Sequence, residues 1–173
     1  MSKLDEVVVS YRIFENSTEY LGVAQVTLPD IEFLVNTISG AGIAGEVEEV
    51  IKGHIKAMRT TINFNTYGEN ALALSTPVDH TIDLREVQQA RNMTAGKVEL
   101  QNVKHIMTIK PIKLSLGKLE TASTSDANGE YAVSYYARYV GGKKKIEIDP
   151  LNFKCYINGI DYLADVKKAM GLS

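Results

Sequence analysis

The stretch GAGIAG, residues 40–45, has the G-x-G-x-x-G spacing of a dinucleotide-binding loop. In such a loop the glycines let the backbone approach a pyrophosphate at the start of a helix. The chemistry also requires a preceding strand, a following helix and an acidic residue about 20 positions further on. Residues 31–38 could form the strand and residues 46–54 a short helix, but residues 59–65 contain no Asp or Glu. The sequence therefore favours a glycine-rich loop that permits positive φ and close backbone approach, without a nucleotide.

Histidine and cysteine are the other residue types that could do chemistry. None of His54, His80 and His105 stands at metal-ligand spacing from a second ligand, so we expect surface or strand-face histidines and no metal or cofactor. Cys155 alternates with apolar neighbours, which predicts a buried side chain and not a nucleophile. A single cysteine excludes an internal disulfide and fits a reducing compartment. The sequence therefore predicts no catalytic residue and no enzyme.

Two further patterns could bind ligands. The lysine run at 143–145 could contact phosphate, but no aromatic residues interleave with it, and lysines beside a turn also discourage strand pairing. Tyr131, Tyr135 and Tyr139 stand at strand spacing, which predicts one shared face. Such a face is more typical of a core or an interface than of a ligand cage. A monomeric β-sandwich that binds a ligand on this face remains an alternative function.

The composition is that of a globular protein, since 45% of the 173 residues are hydrophobic and 23% are charged. This length predicts a single domain over 1–173. No apolar run reaches the roughly 20 residues of a membrane span, and no secretion signal is expected. The net charge is −2, but residues 1–50 hold nine Asp/Glu and two Lys/Arg, and the remainder holds 12 and 17. The two charge regions could attract each other between copies.

Alternation of apolar and polar residues predicts a mainly β chain. We expect strands over 20–28, 31–38 and 54–65, a long hairpin of 80–92 and 97–110 around MTAG, and a hairpin after 131–140 at a Gly-Gly turn. The apolar phase changes between Leu100 and Val103, which predicts a β-bulge.

Helix signals are fewer. The C-terminal residues predict a helix with Asp161 as its N-cap, an apolar stripe along one side and Gly171 at the C′ position where it ends. A short helix or turn is expected near 67–74, and 121–129 should be a polar loop. The predicted fold is a β-sandwich or barrel with one or two helices.

Three segments together resemble a known family. They are GVAQVTLPDIEF at 22–33, the GAG triplet at 40–42, and the segment 131–172 with its tyrosine-rich strand, EIDP, NGIDYL and terminal GL. In this order they resemble the major tail tube protein of contractile-tailed bacteriophages and the tube of R-type pyocins. The middle of the chain follows the family only in outline, and GENALALSTPVDHT stands where a helix is expected after the first long strand.

The resemblance implies a structural protein with a β-sandwich tail-tube fold, a long hairpin and a C-terminal helix, related to the type VI secretion tube. Six subunits would form a ring, strands of neighbours would close an inner barrel, and rings would stack into a conduit for DNA or ions. The glycine loop would then lie between subunits, through Gly40, Ala41, Gly42 and Gly45. The long hairpin is the first candidate for inner-barrel strands, and its lumen or interface candidates are Asp83, Arg85, Glu99 and Gln101.

The resemblance also implies the partners. These are further copies of the chain, the tail sheath, and the tape measure, baseplate and terminator proteins, in a virion tail or bacteriocin particle assembled in the host cytoplasm. DNA would pass through the lumen without specific binding, and no membrane is involved. Because each neutralised phosphate adds affinity, we expect a polar, neutral-to-acidic lumen with the lysine runs pointing elsewhere.

Overall fold

The computed structural model describes residues 2–172, and strands dominate it. The strands in chain order are β1 (Lys3–Glu15), β2 (Thr18–Tyr20), β3 (Val23–Thr27), β4 (Phe33–Ser39), β5 (Glu46–Ile55), β6 (Met58–Phe64), β7 (His80–Asn92), β8 (Lys97–Ser115), β9 (Ala127–Val140), β10 (Lys143–Asp149), β11 (Lys154–Ile157) and β12 (Ile160–Asp161). The helices are α1 (Glu69–Leu74) and α2 (Ala164–Ala169), and Pro150–Asn152 form a single 3-10 turn. Neither helix has the length or apolarity that a membrane crossing requires, within the part of the chain described. The predicted mainly β class is confirmed.

Ten of the strands form one forked sheet. Its main path runs β12-β11-β10-β9-β8-β7-β1-β2, and every pairing is antiparallel. Strand β9 pairs with β8 along one edge, while its other edge pairs first with β6 and then with β10. Strand β6 continues to β3. Strands β8 and β9 therefore belong both to the main sheet and to the branch.

The core lies between the branch and the main sheet. Its members on β6 include Met58 and Ile62, which pack in one cluster with Ile82 of β7 and Met107 of β8. All four are at most 2% exposed. Alternate residues of each strand point to this cluster, as the period of a strand requires.

The long hairpin is confirmed. Strands β7 and β8 flank the turn at residues 93–96, and their pairing runs without a shift from His80–Ile109 to Asn92–Lys97. The predicted bulge between Leu100 and Val103 is wrong in this pairing, because Leu100 points outward while Val103 lies in the core. The irregularities lie further along, in the pairing of β8 with β9: β9 has the extra residue Ser134 opposite 108–109, and β8 has the extra residue Ile112 between Pro111 and Lys113.

The predicted shared face of the tyrosines is wrong. A register shift places Thr108 opposite Tyr135 but Ile109 opposite Val133, so the side-chain phase of β9 changes at residue 134. Tyr131 and Tyr136 consequently lie in the core, whereas Tyr135 hydrogen-bonds to Glu147 on the other side, Oη to Oε1 at 3.0 Å. This split removes the tyrosine cage that a ligand-binding module would need.

Other boundaries differ locally from the predictions. Residues 54–65 do not form one strand, because the chain leaves β5 at Ile55 and re-enters the sheet in β6 at Met58. The helix near 67–74 is confirmed as α1, and the polar loop ends early, since β9 begins at Ala127. Asp161 does not cap α2. Its Oδ1 instead accepts hydrogen bonds from the backbone N–H groups of Cys155 and Leu163.

Gly129 is held beneath the ring of Tyr131. A Cβ at position 129 would lie 2.5 Å from the Tyr131 hydroxyl oxygen and 2.7 Å from Cζ. The ring is fully buried, its hydroxyl has no partner among the described residues, and burial raises the pKa of Tyr131 to about 12. An aromatic ring that covers a strand glycine is a known way to compensate for the missing side chain.

We therefore expect Gly129→Ala to destabilise the fold by about 1–3 kcal/mol, as overpacking of a core does. Tyr131→Phe should be neutral or stabilising, because it removes a buried hydroxyl without a partner. Urea unfolding of both variants and of the double variant measures this, and the double variant should recover part of the loss. Equal destabilisation by the two single changes would contradict this packing.

Candidate assembly surfaces

The glycine motif lies at the tip of a projecting hairpin. Strands β4 and β5 form a sheet of two that pairs with no other described strand, and residues 40–45 join them. Gly40, Gly42 and Gly45 have φ of +143°, +87° and +133°, which glycine adopts readily. No described atom lies within 4 Å of where a Cβ would stand at these positions. The turn needs the glycines for its backbone angles, not for close packing within the subunit.

This hairpin, called the arm below (residues 33–55), contradicts the dinucleotide interpretation. The glycines are followed by strand β5, not by a helix, so no helix N-terminus points at a phosphate. The predicted loop is also shorter than expected, because most of the segment is paired strand. Ala41 and the three glycines are exposed at the tip.

The outer part of the arm is apolar and acidic. Its exposed apolar side chains lie on both sides of the hairpin, since Val35 pairs with Val50, and Ile38 pairs with Val47 in the opposite phase. Three glutamates lie between them, and no Lys or Arg occurs from 33 to 51. They are Glu46, Glu48 and Glu49. A two-stranded hairpin of this kind is marginal by itself in water, so its exposed surface calls for a partner.

The base of the arm is fixed to the rest of the subunit. Gly53 lies so close to Leu163 that a Cβ there would stand 2.5 Å from the leucine side chain. Ion pairs join Lys52 to Asp165 at 3.1 Å and Lys56 to Glu32 at 2.5 Å. The arm therefore leaves the body in a defined direction.

A second surface is formed by four strand segments, called the four-stranded section below. They are β3 (Val23–Thr27), β6 (Met58–Phe64), residues 127–133 of β9 and residues 109–115 of β8. Neither outer edge of this section has a partner strand among residues 2–172. Strand β3 pairs only with β6, and β8 beyond Ile109 pairs only with β9. Unpaired edges expose N–H and C=O groups that can accept another strand.

The outward side of the four-stranded section is polar, and is called the polar face below. Cross-strand partners share a side of a sheet, so the register defines three rows across it. The rows are Arg59, Ala132 and Lys110; then Thr27, Thr61, Glu130 and Lys113; then Gln25, Asn63, Asn128 and Ser115. These rows contain no aliphatic side chain larger than Ala132. The opposite side packs on the core through residues such as Ile62.

The four candidates on the long hairpin do not lie together. In the register of the hairpin, Asp83 and Arg85 lie opposite Ile106 and Lys104, on the outer side. Glu99 and Gln101 lie on the other side, which further along β8 carries the core residues. Arg85 and Lys104 both approach Asp83 Oδ2, at 3.3 and 3.6 Å. The four positions therefore lie on two sides of the hairpin, and their role at the lumen or an interface stays a prediction.

Glu99 binds elsewhere, in an ion pair with Lys3 at 2.8 Å. The hydrogen bond from Lys3 lowers the pKa of Glu99, and Asn92 adds to the effect. Because Lys3 belongs to β1, this contact ties β1 to the turn end of the β7–β8 hairpin.

Two of the histidines are buried, which the sequence did not predict. His105 Nε2 lies 2.7 Å from Glu86 Oε2, and its Nδ1 lies 2.8 Å from the Tyr136 hydroxyl. His80 Nδ1 lies 2.7 Å from Glu15 Oε1. Neither set includes a nucleophile, and among residues 2–172 no group of three or more His, Cys, Asp or Glu could hold a metal ion. The paired polar groups are satisfied within the fold.

Cys155 is buried, as the sequence predicted, at 1% exposure. Burial raises the pKa of the thiol, which keeps it protonated and unreactive. The arm and the four-stranded section therefore both expose features that are suited to protein contacts.

The family of phage tail tube protein FII matches the chain over residues 5–171. The chain belongs to this family. It is a tail tube structural protein, and the resemblance found in its sequence is confirmed. None of the curated proteins compared matches the chain.

Two solved structures show the same tail tube fold. One is a cryo-EM structure of an extracellular contractile injection system, PVC sheath/tube terminator in extended state, with a TM-score of 0.57 and 9% identity over 78% of this chain and 96% of that one. The other is the PVC sheath-tube complex in extended state, with a TM-score of 0.50 and 12% identity over 75% and 87%. At these identities the likeness concerns the fold.

Proposed function

We propose that this chain builds the inner tube of a contractile tail, in a phage or a phage-tail-like bacteriocin particle, as stacked rings of six subunits. It acts as one domain over 1–173 and catalyses no reaction. The observation that supports this most is the four-stranded section, with two free edges, a core side and a polar face. A closed ring of such sections would leave no edge unpaired.

The rings close between the free edge of β3 and the free edge of β8 in the next copy. The order β3-β6-β9-β8 alternates direction at each step, so β3 and β8 run in opposite senses. Copies related by rotation therefore meet as antiparallel neighbours. Pro111, the bulge at 111–113 and the flanking lysines limit pairing at the β8 edge. These features keep the free subunit from random pairing before it meets the correct strand.

Stacking uses the arm. Its tip residues Gly40, Ala41, Gly42 and Gly45 contact a subunit outside the ring, where the apolar pairs of β4 and β5 become covered. Asp83 and Arg85 lie on the outer side of the long hairpin and are interface residues, while Glu99 and Gln101 serve contacts near its turn at 93–96. The channel is lined by the polar face, and DNA passes along it without specific binding.

The remaining partners follow from the contractile-tail assignment. The tube is surrounded by a sheath and contacts tape measure, baseplate and terminator proteins, and it assembles in the host cytoplasm. The similarity to a PVC sheath/tube terminator and to a PVC sheath-tube complex supports the sheath contact.

Cysteine cross-linking combined with negative-stain microscopy tests this function. In a Cys155→Ser background, Gln25→Cys on β3 and Ser115→Cys on β8 place thiols at the two free edges. Oxidised tubes should give a ladder of up to six chains on a non-reducing gel, because strand neighbours bring Cβ atoms within disulfide range. Thr27→Cys with Lys113→Cys tests the next row.

The single-cysteine variants are the controls and should not form chains longer than dimers. Tubes without a ladder from either pair would show that the rings close elsewhere. A chain that stays monomeric at every concentration, both alone and with preformed tail baseplates as nuclei, would contradict the tube function itself.

A further inference from the structure

The three rows of the polar face carry three cations and one carboxylate. Arg59, Lys110 and Lys113 form no ion pair with any described residue, whereas most other cations near the long hairpin do. Arg59 and Lys110 flank Ala132 in one row, about 10 Å apart at two strand spacings. Lys113 follows in the next row beside Glu130, the one carboxylate of the three rows.

We propose that this face binds the phosphates of duplex DNA, so that the channel wall holds nucleic acid by charge. The proposal rests on the proposed function, which makes the polar face the lining of the channel. It departs from the neutral-to-acidic lumen expected from sequence. Apart from Ala132 and Glu130, the other side chains of the three rows are Thr, Asn, Gln and Ser, which can donate to phosphate oxygens but specify no base sequence.

The chemistry of the face selects among polyanions. Single-stranded nucleic acid is bound through aromatic platforms, and the three rows contain no aromatic side chain. Duplex DNA presents phosphates outward in a regular array, which suits point charges on a flat sheet. Binding of this kind is independent of sequence and weakens steeply with salt, so the wall would hold passing DNA weakly and still let it slide.

The test measures binding of a 20-base-pair duplex to the unassembled chain and to tubes, by fluorescence anisotropy at several salt concentrations. In Arg59→Gln/Lys110→Gln/Lys113→Gln the slope of log K against log salt should fall by up to about 2.7, at roughly 0.9 for each phosphate that the variant no longer neutralises. The matched control Lys97→Gln/Lys143→Gln/Lys145→Gln removes the same charge from exposed lysines outside the polar face and should keep the wild-type slope. Glu130→Gln should tighten binding.

Three outcomes would overturn the proposal. They are absence of duplex binding by the wild-type chain, an equal fall in the salt slope in the two triple variants, and a preference for poly-glutamate over duplex at equal charge concentration. Microscopy of the same samples separates this from the tube function. Tubes that form normally but bind no duplex would contradict DNA binding and leave the tube function intact. Duplex binding by a chain that forms no tubes would support DNA binding and contradict the tube function.

Discussion

A chain whose residues 36–49 are replaced by Asn-Gly should fold normally and form no tubes. The change joins Val35 to Val50, which already pair, through a two-residue turn of the kind that closes hairpins. None of the buried core residues lies between 36 and 49, so the free energy of unfolding should change by no more than about 0.5 kcal/mol. Assembly should fall at least tenfold, because the arm's apolar pairs have no role inside the subunit. Pelleting, microscopy and urea unfolding measure both parts.

The charge on the arm has a separate control. Glu46→Gln/Glu48→Gln/Glu49→Gln keeps the hairpin and its apolar pairs, and should assemble with a weaker dependence on salt than the wild type. If the shortened chain assembles at the wild-type concentration, the arm is not the stacking contact.

His105→Leu should destabilise the fold by about 3–5 kcal/mol, the range for removing one partner of a buried charged pair. The neutral imidazole donates from Nε2 to Glu86 and accepts at Nδ1 from the Tyr136 hydroxyl, and all three side chains are buried. Removing it leaves a buried carboxylate without its main donor, which is the costly way to break such a pair. Urea unfolding at pH 7 provides the measurement.

The matched variant is Glu86→Leu/His105→Leu/Tyr136→Phe, which replaces the whole network with apolar groups and should recover most of the stability. A triple variant as unstable as His105→Leu would mean that the site is limited by packing and not by the buried charge.

The same network predicts a pH dependence. Burial lowers the pKa of His105 and outweighs the opposing hydrogen bond with Glu86. Burial alone would raise the pKa of Glu86, but the hydrogen bonds from His105 and Gln88 lower it overall. Both groups then favour folding above their unfolded pKa values, near 6.5 and 4.5, and lose this contribution as the pH falls. The urea concentration at the unfolding midpoint of the wild type should therefore decrease as the pH is lowered below about 6.5.

Elements with strong local signals could be predicted from the sequence. The hairpin of β7 and β8 forms around the polar turn at 93–96 as predicted, although β8 continues beyond residue 110 to Ser115. The turn at Gly141–Gly142 likewise separates β9 from β10. In these places turn chemistry and hydrophobic period agree, and tertiary packing had nothing to override.

The arm and the assembly surfaces could not be predicted in the same way. Glutamates have low strand propensity, so the segment with Glu46, Glu48 and Glu49 suggested a short helix, although pairing with β4 makes it a strand. The shift at residue 134 follows from how β8 crosses β9, which no local pattern of β9 reveals. The edges of β3 and β8 are free because no other described strand of the fold pairs with them. This can be known only once the pairing of all the strands is known.

The two longest shared strands have a mechanical consequence. Strand β8 has 19 residues, roughly 60 Å of extended chain, and with β9 it passes from the main sheet into the branch without a break. A push applied to the branch therefore reaches the main sheet through continuous peptide, and the hydrogen bonds between β8 and β9 are loaded along the strands together. Such a subunit resists shear as a unit, and under axial thrust a column of them would yield at the contacts between copies before any subunit opens.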